Sequence, residues 1–574
     1  MPKVTGFKTV DVRFPTSRGL DGSDAMNKEP DYSAALLILE TDDPTLQGHG
    51  FVFTCGRGND LQCEMIAQLA PYAVGRDVAD LATSMGDFAR SLVRDSQIRW
   101  LGPEKGVTQM AAGAVINAAW DLVTKNAKQP LWKFLSDLTP EQIVELVDFR
   151  YITDALSPEE ALEILRKTLP DRAANEAKLR AEGLPAYTTT PGWLGYSDDK
   201  MVRLAKEAVA VGYTLIKLKC GASLEDDRRR LHLVREAVGP DIKIAIDANQ
   251  VWDVNQAIEW IKGIGDVNLH WVEEPTNPDD VLGHAAIAKA IAPVRVATGE
   301  HGMNRIIFKQ MLQAKSFSFM QIDATRVAGV NENIANILMA AKFGIPVCPH
   351  AGGVGLCELV QHLAMFDAVA VTGHHSDRVV EFVDHLHEHF VVPTNIVNAH
   401  YLPPIEPGAG GEMHAQSIAD FTFPNGKGRK LVAADVVYSF NRLMDKNTAS
   451  PGAWIFNNRV NGANGFVAVD DSTFQINLLR PFVQILGVLS NVYCSIVPRE
   501  VVEKYGPDFR RNPCGTGPFQ FKAWEEGQAL IMVKNKHYFE KDSAGNQLPY
   551  VDGIKVSFLE SKAAEFMEFR QGRL

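Results

Sequence analysis

Seven side chains able to bind a metal or move a proton recur at near-constant intervals: Lys219, Asp247, Glu273, Glu300, Asp323, His350 and Glu381. The gaps between them are 28, 26, 27, 23, 27 and 31 residues, and each falls at the end of a short apolar run: LIKLK, IKIAID, HWVEE, VRVATGE, FMQID, PVCPH and VVEFVD. That interval holds one strand, one helix and their turns. A parallel sheet with crossover helices is therefore expected, and in a closed barrel of this kind the C-terminal strand ends share one mouth.

The chemistry such a mouth would support is specific. Asp247, Glu273 and Glu300, on three consecutive strands, offer the oxygen ligands that a hard cation such as Mg2+ prefers. Three carboxylates would repel an acid unless a cation reversed the local charge, so metal and carboxylate-bearing substrate imply each other. Taking a proton from the carbon beside a carboxylate creates an enediolate with two negative charges, which needs electrostatic stabilisation above all. Lys217 and Lys219 alternate through Leu218 onto one strand face. Their mutual repulsion and a nearby metal should depress a lysine pKa into the range of a base. Asp323 ends the strand before His350, close enough to hold one imidazole nitrogen and free the other for acid or base work. Glu381, across the mouth from the metal, would donate a hydrogen bond to the enediolate if a raised pKa kept it protonated. One of the lysines can therefore serve as a base and His350 as acid or base, the residues alone leaving the division of roles open.

Simpler readings compete. A lone carboxylate at a strand end is usually a cap or a solvated residue, but seven in register are not lone. The run His385, His387 and His389 is expected to be structural, as is Cys220, which strand alternation turns away from the mouth. Gly352, Gly353 and Gly355 match no phosphate-binding motif and should let backbone pass close to the mouth.

At 574 residues the chain should hold two or three domains. Strand-like runs at Lys8 to Phe14, Ala34 to Glu40 and His49 to Thr54, then helical patterns at Leu61 to Ala73 and Val107 to Thr124, predict an α+β domain over 1–135. Its long polar loop, Thr16 to Tyr32, is of the kind that covers a site. A catalytic (β/α)-barrel is expected over 136–426, with its first strand near Val144 to Tyr151 or near Ala186 to Thr190. Beyond FPNGKGRK the strand-helix rhythm stops, so 427–574 is a third piece. A net charge of −12 argues against nucleic-acid or anionic-membrane partners. Seven scattered cysteines suggest reduced thiols, and a strand-like N-terminus without an apolar signal core points to the cytoplasm.

The motifs KLK, DANQ, VEEP, TGE, QID and PHAGGVGLCELVQH stand in the order of the mandelate racemase branch of the enolase superfamily, which the chain resembles over about 1–425. DAMNKEPDYSAALLILETD, DFRYITDAL, WLGYSDD, EEPTNPDDVLGHA and EFVDHLHEHF resemble the L-fuconate dehydratases in particular. That resemblance implies an α/β enolase-type fold with a capping domain on a modified TIM barrel, and Mg2+ held by Asp247, Glu273 and Glu300. It also implies dehydration of a small-molecule sugar acid, with Lys219, His350, Asp323 and Glu381 catalytic, and often a homo-oligomer. By motif position, Gly22, Ser23, Asp24, Tyr32, Lys217, Asn249, Glu300 and Glu381 would contact the substrate. Residues 427–574, through AADVVYSFNRLMD, CGTGPFQFKAWEEGQ and LPYVDGIKV, resemble part of a periplasmic solute-binding protein of the peptide and nickel transport family. Such proteins need a secretory signal, a first lobe and a return segment, so no transport role is expected of this piece.

Overall fold

The computed structural model describes residues 2–423, 431–535, 538–542, 545–558 and 561–572. Residues 424–430, most of the expected junction, lie outside the described residues. The chain divides into two compact units, Met1–Gly426 and Lys427–Leu574.

The first unit opens with an antiparallel sheet of β1 (Val4–Arg13), β2 (Ser33–Thr41) and β3 (Gln47–Thr54), in that spatial order. Helices α1 (Asn59–Leu69), α2 (Val78–Val93) and α3 (Gly106–Asn126) follow. Helix α3 is buried from Thr108 to Thr124 on every face, as a helix sandwiched between layers must be. It lies so close to β3 that a Cβ on Gly50 would stand 2.7 Å from the Ala118 amide nitrogen, and one on Gly48 2.8 Å from Leu122. Only glycine permits that approach.

The barrel follows. Its strands are β4 (Leu184–Thr188), β5 (Leu215–Lys219), β6 (Lys243–Asp247), β7 (Leu269–Glu273), β8 (Arg295–Thr298) and β9 (Phe319–Met320), parallel and paired in sequence order. The ring closes through the 347–349 segment, which bridges Met320 at Val347 and accepts from the Glu381 amide through the Pro349 carbonyl, and then through β10 (Val380–Phe382), which pairs with β4. The outer helices are α4 (Asp198–Val211), α5 (Leu224–Val238), α6 (Val254–Gly263), α7 (Val281–Ala290), α8 (Arg305–Ala314), α9 (Gly329–Phe343) and α10 (Leu356–Phe366). Side chains of Ser197, Ser223, Asp253, Asp280 and Asn304 cap α4 to α8 by accepting from first-turn amides.

Of the two candidate first strands, the second is correct. Residues Pro140–Leu146 form a short helix with a capping box, Thr139 to Gln142, and Val147 to Tyr151 are not strand. PVCPH is one bridge rather than a full strand, because two prolines in five residues remove ladder donors.

Strand alternation divides the barrel wall. Ile216, Leu218, Ile244, Ile246, Val272, Val296 and Met320 join the large core shared with the helices. The inward set Tyr187, Leu215, Ala245, Trp271, Ala297, Phe319 and Cys348 forms a separate buried cluster, the floor of the barrel. Two residues further along the same faces stand Lys217, Asp247, Glu273 and His350.

The second unit carries a helix, Ala433–Met444, a hairpin of Phe466–Asp470 and Thr473–Ile476, and an antiparallel sheet of Phe519–Glu525, Ala529–Lys534 and Gly553–Ser557. Phe440, Ile455, Phe456 and Phe466 centre its small core. Large apolar side chains stay in solvent, Val483 at 92 % exposure and Leu486 and Val492 at 79 %. No described helix is long and apolar enough to cross a membrane.

Candidate active site

The seven strand-end residues meet at the barrel mouth, and all seven are buried. Ligand atoms of Asp247, Glu273 and Glu300 lie within 4.8 Å of one another. Register explains this: Asp247 pairs with both Lys219 and Glu273 across neighbouring strands. Glu300 follows Gly299, whose φ of +139° turns the chain at the end of β8. Two buried oxygens here, Glu300 Oε2 and Asn249 Oδ1, have no hydrogen-bond partner among the described residues. Three hard carboxylates, one with an oxygen free of hydrogen bonds, and the Asn249 oxygen beside them fit a Mg2+ ion with a bound acid.

Lys219 Nζ stands 2.5 Å from Asp247 Oδ2, on one side of the mouth. His350 stands on the other, Nδ1 bonded to Asp323 Oδ2 at 2.8 Å, and Nε2 3.5 Å from Glu300 Oε2 and 3.9 Å from Glu381 Oε2. Asp323 is itself fixed, since Oδ1 accepts from the Thr325 amide at 2.6 Å and the Arg326 amide at 2.9 Å. Burial works against charge on His350, but Glu300, Asp323 and Glu381 outweigh it and raise the imidazole pKa to about 9.

Two shifts set by the protein's own groups run opposite to those expected with a cation in place. Burial lowers Lys219, yet Asp247 more than offsets it and Lys217 only partly opposes, so the ammonium is stabilised and the pKa raised. Lys217 is fully buried between Glu273, Glu381 at 2.9 Å and Asp247 at 3.5 Å, and is raised as well. Burial raises Glu381, but Lys217, His350 and Lys219 overcome it and bring the pKa to about 2. The Glu381 carboxylate accepts from Lys217, from the Thr189 hydroxyl and from the Ala351 amide at 2.9 Å. As arranged here it is an acceptor, not the protonated donor expected.

The loop before β2 does reach the mouth. Gly22 has φ +82°, and any Cβ there would collide with the Tyr32 ring, so glycine is required. Tyr32 is buried, and Asp24, Glu381 and Glu300 all act on its hydroxyl. Asp24 feels Lys219 and Asp247, and Met26 and Asn27 amides bond its Oδ1 at 2.7 and 2.6 Å. Ser23 serves as a staple: its hydroxyl donates to the Leu20 carbonyl and accepts from the Gly195 amide at 3.0 Å, while its carbonyl accepts from Leu194. Asn249 lies two residues past Asp247, its amide bonded to Asp247 Oδ1 at 2.9 Å.

Cys220 is buried in the outer core, as alternation predicts. Gly352 passes close enough to the mouth that a Cβ would stand 3.1 Å from His350 Nε2. His387 bonds Glu358 at 2.6 Å and the Val383 carbonyl at 2.7 Å, and His389 stacks on Phe14, both structural.

The structure adds residues that the strand-end pattern misses. His301 Nδ1 lies 2.8 Å from Glu274 Oε1 and 3.4 Å from Glu300 Oε1, and Gln250 Nε2 reaches Glu274 at 2.9 Å and His301 at 2.7 Å. Asn249, Gln250 and Glu274 all have positive φ, +44°, +68° and +41°. Three such non-glycine residues around one cluster are costly and persist where surroundings enforce them. The second acid of EEP and the histidine after TGE were the visible signal.

The barrel, its cap and this mouth define an enolase-type enzyme. The chain matches "Mandelate racemase / muconate lactonizing enzyme, N-terminal domain" over 25–136 and "Enolase C-terminal domain-like" over 200–417. It is 50% identical over 427 residues to mitochondrial enolase superfamily member 1 of Xenopus laevis, covering 74% of this chain and 96% of that protein. It is 49% identical over 430 residues to L-galactonate dehydratase of Hypocrea jecorina, covering 74% and 95%. The crystal structure of human mitochondrial enolase superfamily member 1 superposes with a TM-score of 0.73 at 48% identity, covering 74% of this chain and 97% of that one. An L-talarate dehydratase from Polaromonas sp. JS666, crystallised with Mg and L-glucarate, shares the fold at 24% identity and a TM-score of 0.54, covering 74% and 98%. The chain belongs to the mandelate racemase and muconate lactonizing enzyme family of the enolase superfamily, among relatives named as sugar-acid dehydratases. Residues 419–574 separately match "Bacterial extracellular solute-binding proteins, family 5 Middle".

Proposed function

We propose that this chain dehydrates L-fuconate to 2-keto-3-deoxy-L-fuconate with Mg2+ bound by Asp247, Glu273 and Glu300. The observation that carries the reading is the pairing of Lys219 and the Asp323-held His350 on opposite sides of a three-carboxylate cluster. When bound, Mg2+ supplies positive charge for the substrate carboxylate and for the enediolate. Lys219 Nζ takes the C2 proton as the amine, a form that the positive charge of a cation bound at Asp247 would favour against the ion pair that raises its pKa, and the electron pair enters the carboxylate as the enediolate forms. The enediolate collapses as the C3–O bond breaks, His350 Nε2 gives its proton to the departing hydroxyl as water, and the resulting enol tautomerises to the 2-keto acid. Glu381 faces the same space from beside Lys217. Gly22, Ser23, Asp24, Tyr32 and Asn249 shape the substrate side.

L-Galactonate is the second reading, favoured by 49% identity over 95% of an L-galactonate dehydratase. L-Fuconate is its 6-deoxy analogue, so the same chemistry serves both. We place the activity in the cytoplasm, on a small-molecule acid without nucleic-acid or membrane partners, in a chain that self-associates. Keto-acid formation from L-fuconate and L-galactonate, with Mg2+ and then with EDTA, tests the proposal. Turnover untouched by EDTA, or absent from both acids, would overturn it.

A further inference from the structure

The mouth holds two polar atoms that the dehydration leaves unused. Among the described residues, Trp193, 1 % exposed, has an indole Nε1 with no hydrogen-bond partner, and the buried Nε2 of His385 has none either. Buried polar atoms of this kind are rarely left unpaired, and beside an active site they mark where a ligand group is awaited. The two rings pack edge to face, centroids 6.0 Å apart, and His385 lies 5.5 Å from the ring of Tyr32 in the covering loop. Trp193 also borders the reacting end, its ring centroid 5.6 Å from Lys219 Nζ. An aromatic wall therefore runs from the base to the covering loop. An acid with its carboxylate at the metal ligands and C2 at Lys219 would bring the carbons beyond C3 within reach of this wall.

Charge differs along the wall: Lys219 and Arg230 lie against Trp193, the guanidinium on its carbonyl at 3.1 Å, while the His385 end is acidic. Asp21, Asp384 and Glu388 act on His385, and the basic neighbour, His387, is already engaged with Glu358 and the Val383 carbonyl. Burial keeps the His385 pKa below its ordinary value, so the ring is neutral at neutral pH. Resting on the dehydratase reading above, we propose that Trp193 and His385 are specificity-determining residues: they receive the uncharged far end of a monocarboxylic sugar acid, and the carboxylates beside His385 reject the second carboxylate of a dicarboxylic one.

The test uses the full chain with Mg2+ and three acids, L-fuconate, L-galactonate and galactarate, on the wild type, Trp193→Phe and His385→Arg. Wild-type kcat/KM for galactarate is expected to fall roughly a hundredfold below that for L-galactonate. Trp193→Phe, which keeps the ring but removes the donor, should raise KM for L-galactonate roughly tenfold with kcat little changed. His385→Arg should raise the galactarate to L-galactonate ratio roughly tenfold; a merely damaged fold would lower both acids together. Galactarate used as readily as L-galactonate, or an unchanged ratio in His385→Arg, overturns the inference and leaves the dehydratase reading standing. Failure to turn over any acid sinks that reading instead. Selection is then read calorimetrically, where equal affinity for L-galactonate and galactarate with Mg2+ overturns it too.

Discussion

Asp323 Oδ2 holds His350 Nδ1 at 2.8 Å, and two backbone amides hold the other oxygen of the same carboxylate. The bond fixes which imidazole nitrogen faces the mouth. Asp323→Asn keeps the shape but loses the charge that favours the imidazolium. Dehydration should fall by roughly 10²-fold or more, with Mg2+ affinity near wild type. Wild-type turnover in this variant would remove Asp323 from the site.

In the proposed reaction Lys219 and His350 act on different bonds, so isotope exchange would separate them. Lys219→Ala should abolish exchange of the C2 hydrogen with deuterated water, whereas His350→Asn should keep exchange and lose elimination, each slowing dehydration by about 10²–10⁴-fold. Proton spectra of L-fuconate incubated in deuterium oxide report both. Exchange retained in the lysine variant and lost in the histidine variant would reverse the assignment.

His301 links Glu274 to the unshared side of Glu300, and groups that orient a metal-binding carboxylate tune its affinity. His301→Asn is expected to weaken Mg2+ binding roughly tenfold to a hundredfold by calorimetry, while Glu300→Gln nearly abolishes it. Unchanged affinity in His301→Asn would leave the cluster a purely structural one.

His387 supplies a pH signature away from the metal site. Burial disfavours its cation, but Glu358 and the Val383 carbonyl outweigh burial and raise its pKa to about 9. The folded-state value lies above the unfolded one, near 6.5. Its contribution is therefore complete below about pH 6.5 and lost as pH rises through about 9, on the order of 1–2 kcal/mol after allowance for its partial exposure. Thermal denaturation of wild type and His387→Gln from pH 6 to 10 should show the gap closing at high pH. A gap constant across that range would contradict the assignment.

Every residue placed at the mouth lies between Gly22 and His385, within the first compact unit. A chain ending at Gly426 should dehydrate L-fuconate within about twofold of the full chain, as expected for independent folding units. Loss of turnover on removal of Lys427–Leu574 would show that the second unit supports the catalytic one.

Much of the catalytic unit is legible in sequence because a barrel converts spacing into position. A regular interval between Lys219 and Glu381 requires repeated strand-helix units, and period-2 alternation separates Lys217, Asp247 and Glu273 from the outward Leu218, Ile246 and Val272. The covering loop was legible from its length and polarity. Local pattern could not choose between Val144–Tyr151 and Ala186–Thr190 as first strand, because ring closure depends on β10 pairing with β4, almost two hundred residues away in sequence. Nor could it set the charge states. The ionisation of Lys219 and Glu381 is the balance of burial against every neighbour at once, and those neighbours come from different strands. For the same reason His385 reads as structural in sequence and stands beside Trp193 and the active site in the fold: neither residue sits at a strand end, and the pairing of β10 with β4 brings the segments that follow them together.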